Sequence, residues 1–292
     1  MNVLSLFDGI SCGQVALNRL GIKINKYYAS EINKSAIAIT QHNFPNTIQL
    51  GDVTKINANE LPKIDLILAG SPCQSLSNAG KREGFNGKSK LFFEFVRLLK
   101  AIKPKYFLLE NVKMKEEWQD IISNEVGCSP IEINSCMFSA QNRKRLYWTN
   151  IPIDLFTMVM NRTPKLKDIL ETSGFEKYIV NDSPFIKIAD DNGNGNKAGY
   201  YRKDCQANRV YYPSGKSITL CGDAGGGAAK MGQYMFNGYV RKLMPIECER
   251  LQVLPDGYTN VANISDAQRY KALGNGWTVS VIQHLLKELS NI

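Results

Sequence analysis

Through residue 150, short runs rich in β-branched and aromatic residues alternate with longer amphipathic stretches. The strand-like runs are Val3 to Phe7, Lys26 to Ser30, Ile48 to Leu50, Ile64 to Ala69, Tyr106 to Leu109 and Arg145 to Thr149, and a helix is predicted over Gln14 to Leu20. Such alternation predicts βαβ units building a doubly wound, mostly parallel α/β sheet covered by helices on both faces. From about 151 to 240 the alternation stops. Turn-prone clusters, Asp190 to Gly195 and Gly222 to Gly227, lie there among basic and aromatic residues, which predicts a smaller, irregular second domain. Helical periodicity returns at Asp266 to Leu273 and Val279 to Leu289, and the last helix is expected to rejoin the first domain. The expected division is 1–150 with 262–292 against 151–261.

Composition narrows the classes. The 292 residues are 43% hydrophobic and 22% charged, an ordinary globular balance. No apolar run approaches the roughly 18 to 20 residues of a membrane span, and Met1 to Asp8 lacks a basic leader, so a cytosolic protein is expected. The formal charge of +9 favours an anionic partner such as nucleic acid. Seven cysteines, without a CxxC pair and with only two histidines, argue for reduced thiols over a disulfide framework or zinc cluster.

Ligands of such sheets bind beyond the carboxyl ends of the strands. The residues there are Asp8, Gly9 and Gly13 after the first strand, Glu31 after the second, Gly51 and Asp52 after the third, Gly70-Ser71-Pro72-Cys73-Gln74 after the fourth, and Glu110-Asn111 after the fifth. The first loop is not GxGxxG, which disfavours a pyrophosphate cofactor and with it a dinucleotide oxidoreductase. Glu31 lies 23 residues beyond Asp8, near the spacing at which an acid reaches a ribose diol. Three acids around a nucleoside pocket suit a positively charged cofactor, and the sulfonium S-adenosylmethionine fits.

Cys73, set by a proline at the end of an apolar strand, is the candidate nucleophile. A free thiol has a pKa near 8.5, so the site must lower that value or remove the proton as the bond forms. Glu110, at the end of the neighbouring strand, is placed to share a proton with a ring nitrogen while a nucleophile adds to the ring. Thiol plus acid suggests covalent activation of a heterocycle. In Gln141-Asn142-Arg143-Lys144-Arg145, alternate residues of an extended run point one way, so Gln141, Arg143 and Arg145 are expected to face the same rim.

The order Phe-Asp-Gly-x-x-x-Gly, Glu31, Asp52, Ser-Pro-Cys-Gln, Glu-Asn-Val, Gln-x-Arg-x-Arg, Arg241 through Gln252 and Leu273-Gly274-Asn275 resembles the cytosine-C5 DNA methyltransferase family over nearly the whole chain. Phe7 to Gly13 and Leu91-Phe92-Phe93-Glu94-Phe95 resemble the de novo branch known from animals; the late motifs resemble bacterial or phage members. The resemblance implies that Cys73 attacks C6 of a flipped-out cytosine, Glu110 bonds N3 and the exocyclic amine, and Arg143, with Arg145 beside it, holds the O2 side. It also implies that S-adenosylmethionine is lined by Phe7, Asp8, Gly9, Glu31, Ile32, Asp52, Val53, Pro72, Asn275 and Trp277.

By the same resemblance Ser75 to Lys90 is the loop that closes over DNA, with Gln74, Ser77, Lys81 and Arg82 near the duplex. Segment 151–261 is the target-recognition region. Tyr200, Tyr201, Arg202, Lys203, Arg209, Tyr211, Tyr212 and Lys216 interleave aromatics with positive charge. Thr219 and the glycines at 225–227 are expected against DNA, with Gln141 and Arg241 as further contacts. Ser11, Cys12, Val253 and Gly276-Trp277 depart from the commoner pattern, and none removes a catalytic group. A tRNA-directed member is the alternative, disfavoured by the lack of a Cys-Phe-Thr tripeptide in the recognition region; a DNA-binding module without catalysis is disfavoured while Cys73, Glu110 and Arg143 stand. Double-stranded DNA is the expected partner, with a cognate restriction endonuclease, a monomeric state and a bacterial cytoplasm or nucleoid as accompanying expectations.

Overall fold

Val, Ile, Leu and aromatic runs favour the pleated strand, and seven of them pair into one sheet: β1 (Asn2–Leu6), β2 (Lys26–Ser30), β3 (Ile48–Gln49), β4 (Leu66–Gly70), β5 (Tyr106–Val112), β6 (Ile131–Asn134) and β7 (Lys144–Thr149). The order is β3-β2-β1-β4-β5-β7-β6. The first five strands are parallel, and β7 runs antiparallel to both β5 and β6. Four helices supply connections: α1 (Cys12–Arg19), α2 (Lys34–Asn43), α3 (Phe92–Ile102) and α4 (Glu116–Val126). Asn33 caps α2 by accepting the amides of Ser35 and Ala36, and α4 stops at Gly127, whose φ of 78° favours glycine. This is a computed structural model describing residues 1–72, 88–154, 164–180, 185–187, 197–222 and 230–291.

Strand periodicity decides what the sheet presents on each side. Leu4 and Leu6, Ile67 and Ala69, Phe107 and Leu109, and Leu146 and Trp148 share one face, packed with Phe92, Phe95 and Leu98 of α3 and Trp118 and Ile122 of α4. Their alternates, including Gly70, Glu110 and Arg145, belong to the other face. The strand order reverses between β1 and β4, the switch point at which open α/β sheets bind ligands.

Two compact units divide the chain: Met1–Asn134, Lys144–Leu155 and Val281–Ile292 form one, and Ser135–Arg143 with Phe156–Ser280 the other. The second is more regular than its composition suggests. It holds a five-stranded sheet of β8 (Phe185–Lys187), β9 (Lys197–Tyr201), β10 (Arg209–Tyr211), β11 (Gln233–Phe236) and β12 (Tyr239–Lys242), in order β12-β11-β10-β9-β8. Ala198, Tyr201, Val210 and Val240 form its small core. Two helices follow, α5 (Pro245–Leu251) and α6 (Asp266–Asn275), the latter opened by a Ser265/Gln268 capping box. A final helix, α7 (Val279–Leu286), crosses from the second unit into the first. Among the described residues no helix is long and apolar enough to cross a membrane.

Candidate functional site

The loop after β1 is built on left-handed backbone at Phe7, Gly9 and Ser11, with φ of 57°, 60° and 55°. Side chains are rarely tolerated there, so the surroundings must hold the loop. Asp8 is the hub: its carboxylate accepts the hydroxyls of Ser11 and Tyr27, the latter at 2.9 Å, and its amide donates to the Ser30 carbonyl at 3.1 Å. Burial pushes the Asp8 carboxyl above its ordinary range, against the pull of those hydroxyls. Thr40 of α2 adds bonds to the Gly9 carbonyl and the Ser11 hydroxyl. Asp8 is thus inward-facing scaffold, and the expectation of a cofactor contact passes to the loop it holds.

Glu31 follows β2 and gathers three amides, from Gly9 at 2.9 Å to Oε2 and from Ile32 and Asn33 at 2.8 Å each to Oε1. Ile32 is 73% exposed beside it, an apolar side chain left uncovered at the strand end. Ser30 donates to the Gly51 carbonyl at 2.8 Å, joining the ends of β2 and β3 and bringing Asp52 next to this corner. Asp52 caps the short turn Val53–Lys55 through the amide and hydroxyl of Thr54, both on Oδ1, and these bonds hold its carboxyl below the ordinary range. Val53 itself is buried. Carboxylates, an exposed aliphatic side chain and amides already taken by Glu31 at one corner fit a nucleoside joined to a cation.

Glu110 sits within β5, register partner of Gly70 on one side and Tyr147 on the other. It is 9% exposed. Arg145 lies diagonally across on β7 and places Nε 3.0 Å from Glu110 Oε1. Asn111 donates to Ser71 Oγ at 3.0 Å, tying β5 to the segment that continues into half-buried Pro72 and then Cys73. Cys73 itself, with Gln74, Ser77, Lys81, Arg82, the glycines at 225–227 and the whole Asp190 to Gly195 cluster, lies outside the described residues.

Three charged or polar candidates have other jobs than the sequence suggests. Arg143 is 3% exposed; its Nη1 donates to the Leu220 carbonyl at 2.8 Å and its Nη2 to the carbonyls of Gly274 and Gly276 at 3.1 and 2.9 Å. Gln141 is fully buried, accepting from the Leu220 amide and donating to the Leu251 carbonyl and Gln252. Strand alternation does not reach Gln141 and Arg143, because β7 begins only at Lys144. Arg241 is 1% exposed, paired through both Nη atoms with the Glu247 carboxylate and sandwiched by Phe175 and Phe236 at 5.0 and 5.1 Å. It is core rather than DNA surface.

In the turn between β9 and β10, Arg202 and Lys203 are exposed. Arg209 is half-buried and shares Asp204 with Lys197, each at 2.7 Å. Tyr201 is buried, and Lys216 donates to the carbonyls of Ser139 and Pro164, so neither joins that surface. Thr219 is half-buried and donates to the Asn142 carbonyl. Asn275, exposed, ends α6 with its amide where a Cβ on Gly222 would fall, and Trp277 follows half-buried. Sequence reasoning passed over Arg97 and Thr278 and gave Gln252 no role beyond its motif; Gln252 links Thr278 and Gln141 with the carbonyls of Leu273 and Gly276.

A family model for C-5 cytosine-specific DNA methylases matches residues 1–291. The chain belongs to this family. It is similar to the type II methyltransferase M.HhaI of Haemophilus parahaemolyticus, 29% identical over 98% of this chain and 93% of that protein. It is likewise 27% identical to the orphan methyltransferase M.SPRI of Bacillus phage SPR, over 99% of this chain and 97% of that protein. Among solved structures, the Schizosaccharomyces pombe Dnmt2 methyltransferase superposes with a TM-score of 0.76 at 19% identity, covering 99% and 98% of the two chains. A putative DNA modification methyltransferase from an Escherichia coli prophage gives 0.71 at 21%, covering 100% and 99%. The last two show the fold alone. DNA is accordingly the substrate, and members of the family take the methyl group from S-adenosylmethionine.

Proposed function

We propose that this methyltransferase modifies a cytosine swung out of duplex DNA within a specific sequence, with Cys73 as nucleophile, Glu110 as proton partner of N3 and Arg145 as donor to O2. The observation that carries the assignment is the Glu110–Arg145 ion pair on the sheet face shared with Gly70, three residues ahead of Cys73. A chain of three residues reaches at most about 11 Å, so Cys73 is tethered to that corner by covalent geometry. Neither sulfur nor methyl donor can reach C6 and C5 inside the stack, which requires extrusion of the base.

Cys73 sulfur bonds to C6, breaking the C5–C6 double bond and moving its electron pair toward C5 while Glu110 shares its proton with N3. The Phe7–Gly9 loop, Glu31, Ile32, Asp52 and Val53, with Pro72, Asn275 and Trp277 assigned to the same role, would hold S-adenosylmethionine, which when bound would supply an electrophilic methyl group and leave as S-adenosylhomocysteine. After C5 has taken the methyl, its proton leaves to water, the N3 proton returns to Glu110, the double bond re-forms and Cys73 departs as thiolate. Arg145 holds O2 and keeps Glu110 oriented.

We assign 1–150 with 262–292 to catalysis and cofactor binding and 151–261 to target recognition, where Arg202, Lys203, Arg209 and Thr219 take the duplex. Gln74, Ser77, Lys81 and Arg82 belong to the same DNA-facing set. A monomeric state and a bacterial cytoplasm remain the favoured setting; a role as the modification half of a restriction–modification pair is supported by relatives named type II methyltransferases. The test is trapping: duplex DNA carrying 5-fluorocytosine should form a denaturant-stable adduct that Cys73→Ala lacks. A wild type that methylates DNA without such an adduct refutes the covalent route, and undiminished transfer by Cys73→Ala refutes the nucleophile.

A further inference from the structure

The Leu91 to Phe95 run has no role in the chemistry above, yet the helix it opens carries the one guanidinium bonded to the Asp52 turn among the described residues. Arg97 of α3 donates from Nη1 to the Ile56 carbonyl at 3.0 Å and from Nη2 to the Val53 carbonyl at 3.2 Å. Its Nε pairs with Glu94 Oε2 at 2.8 Å, one helical turn earlier. Asp52 closes the amide end of that turn, and Arg97 closes the carbonyl end, the polarity a short helical segment favours. The side chains of Val53 and Ile56 already lie in the apolar core against α3.

We propose that Arg97 is a positioning residue for the cofactor: by fixing the Val53 and Ile56 carbonyls it holds the backbone of residues 52–56 in the one setting that aims Asp52 at the cofactor's base. The inference rests on the reading that Asp52 and Val53 line the cofactor site. A purely structural role is disfavoured by exposure. The Arg97 side chain is 41% accessible, so water can replace it on both carbonyls, while the apolar anchors keep the turn in place. What goes with Arg97 is the fixed orientation, which weakens binding because the turn must then be ordered when the cofactor arrives. Glu94 orients the guanidinium, and a lysine cannot replace it, since a point charge does not span two carbonyls as a planar fork does.

The experiment compares Arg97→Met, Arg97→Lys, Asp52→Asn and the control Lys100→Met, whose Lys100 sits on the same helix in an exposed pair with Glu125. Readouts are KM for S-adenosylmethionine, kcat at saturating donor, S-adenosylhomocysteine affinity by calorimetry and the melting temperature without ligand. Arg97→Met is expected to raise KM and the S-adenosylhomocysteine Kd about tenfold, the equivalent of about 1.4 kcal/mol. Saturated kcat should stay within about twofold and the ligand-free melting point within about 4 °C, the shift that about 1 kcal/mol produces in a domain of this size. Arg97→Lys should follow Arg97→Met, and Lys100→Met should match wild type. Unchanged KM and Kd in Arg97→Met, while Asp52→Asn binds more weakly, overturns the inference alone. Unchanged Kd in Asp52→Asn overturns the cofactor-site reading beneath it. A melting point lowered by about 10 °C with intact Kd reduces Arg97 to a stability residue.

Discussion

Two arginines two residues apart in one motif should fail in opposite ways. Arg143 is enclosed, and truncation to alanine removes donors from three buried carbonyls; Gly276 keeps the Gln252 amide at 3.1 Å, but those of Leu220 and Gly274 lose the charged partner described here. A hydrogen bond to a charged group contributes about 1.5–3 kcal/mol, so Arg143→Ala is expected to lose about 3–5 kcal/mol. At about 2–4 °C per kcal/mol, the melting point falls by about 6–20 °C. Arg145 lies near a strand end and both partners of its pair with Glu110 keep some exposure, so Arg145→Ala should cost about 1 kcal/mol of stability. Its loss should appear in chemistry, about 10²–10³ in rate, as when one donor to a developing charge is removed. Thermal melts and single-turnover transfer of labelled methyl to DNA, the latter at a temperature where both variants are folded, separate the cases. A wild-type melt for Arg143→Ala with transfer lost, alongside active Arg145→Ala, would invert the assignment and return Arg143 to the base.

Two further outcomes follow from close approach and from burial. A Cβ on Gly274 would sit 2.3 Å from both the Cys221 carbonyl carbon and the Gly222 amide nitrogen, backbone atoms that cannot rotate away; Gly274→Ala is expected to lose about 1–3 kcal/mol, and an unchanged denaturation midpoint would refute that packing. The Asp8 carboxyl titrates above its ordinary 3.8, so between that value and its raised one the folded state binds more protons than the unfolded chain and stability falls as pH rises. Asp8→Asn, which cannot ionise, should show no such slope, and parallel stability profiles of variant and wild type across that window would sink the argument.

Six of the first sheet's seven strands were legible because they are apolar runs set apart by helical stretches; β6, Ile131–Asn134, alternates polar and apolar residues within a short segment and was not named. Inspection of the strand ends singled out Glu31 and Asp52, which do follow β2 and β3, and Glu110, which the structure places within a β5 longer than expected. The second sheet was not legible. Its strands are three to five residues long and interrupted by charge, and Gly199 reads as a turn residue although it sits within β9, where a side chain would lie 2.3 Å from the Ile186 carbonyl. Its parallel β10–β11 pair joins residues more than twenty positions apart, which no local pattern encodes. Buried arginines were misread for a related reason. Arg143 is held by carbonyls 77, 131 and 133 residues away, and Arg241 by Glu247 together with Phe175, so a charge run alone cannot distinguish a core cation from a surface one.

The compact units meet in the chain between Arg143 and Lys144, inside the very motif whose alternation suggested a single surface. Before that point the chain is fixed by bonds to loop carbonyls; after it, by strand pairing. Arg145 faces Val112 of β5 on one side and Ile133 of β6 on the other, so its register is set twice. The same register places Leu146 and Trp148 in the apolar core and lets Trp148 Nε1 donate to Ser123 at 3.0 Å. Because successive strand residues alternate faces, a slip of one position would expose Trp148 and turn Arg145 into the core, a double penalty of a buried charge and a lost aromatic anchor. The burial of Trp148 is therefore what holds Arg145 against Glu110: the packing of the core specifies the ion pair on the opposite face.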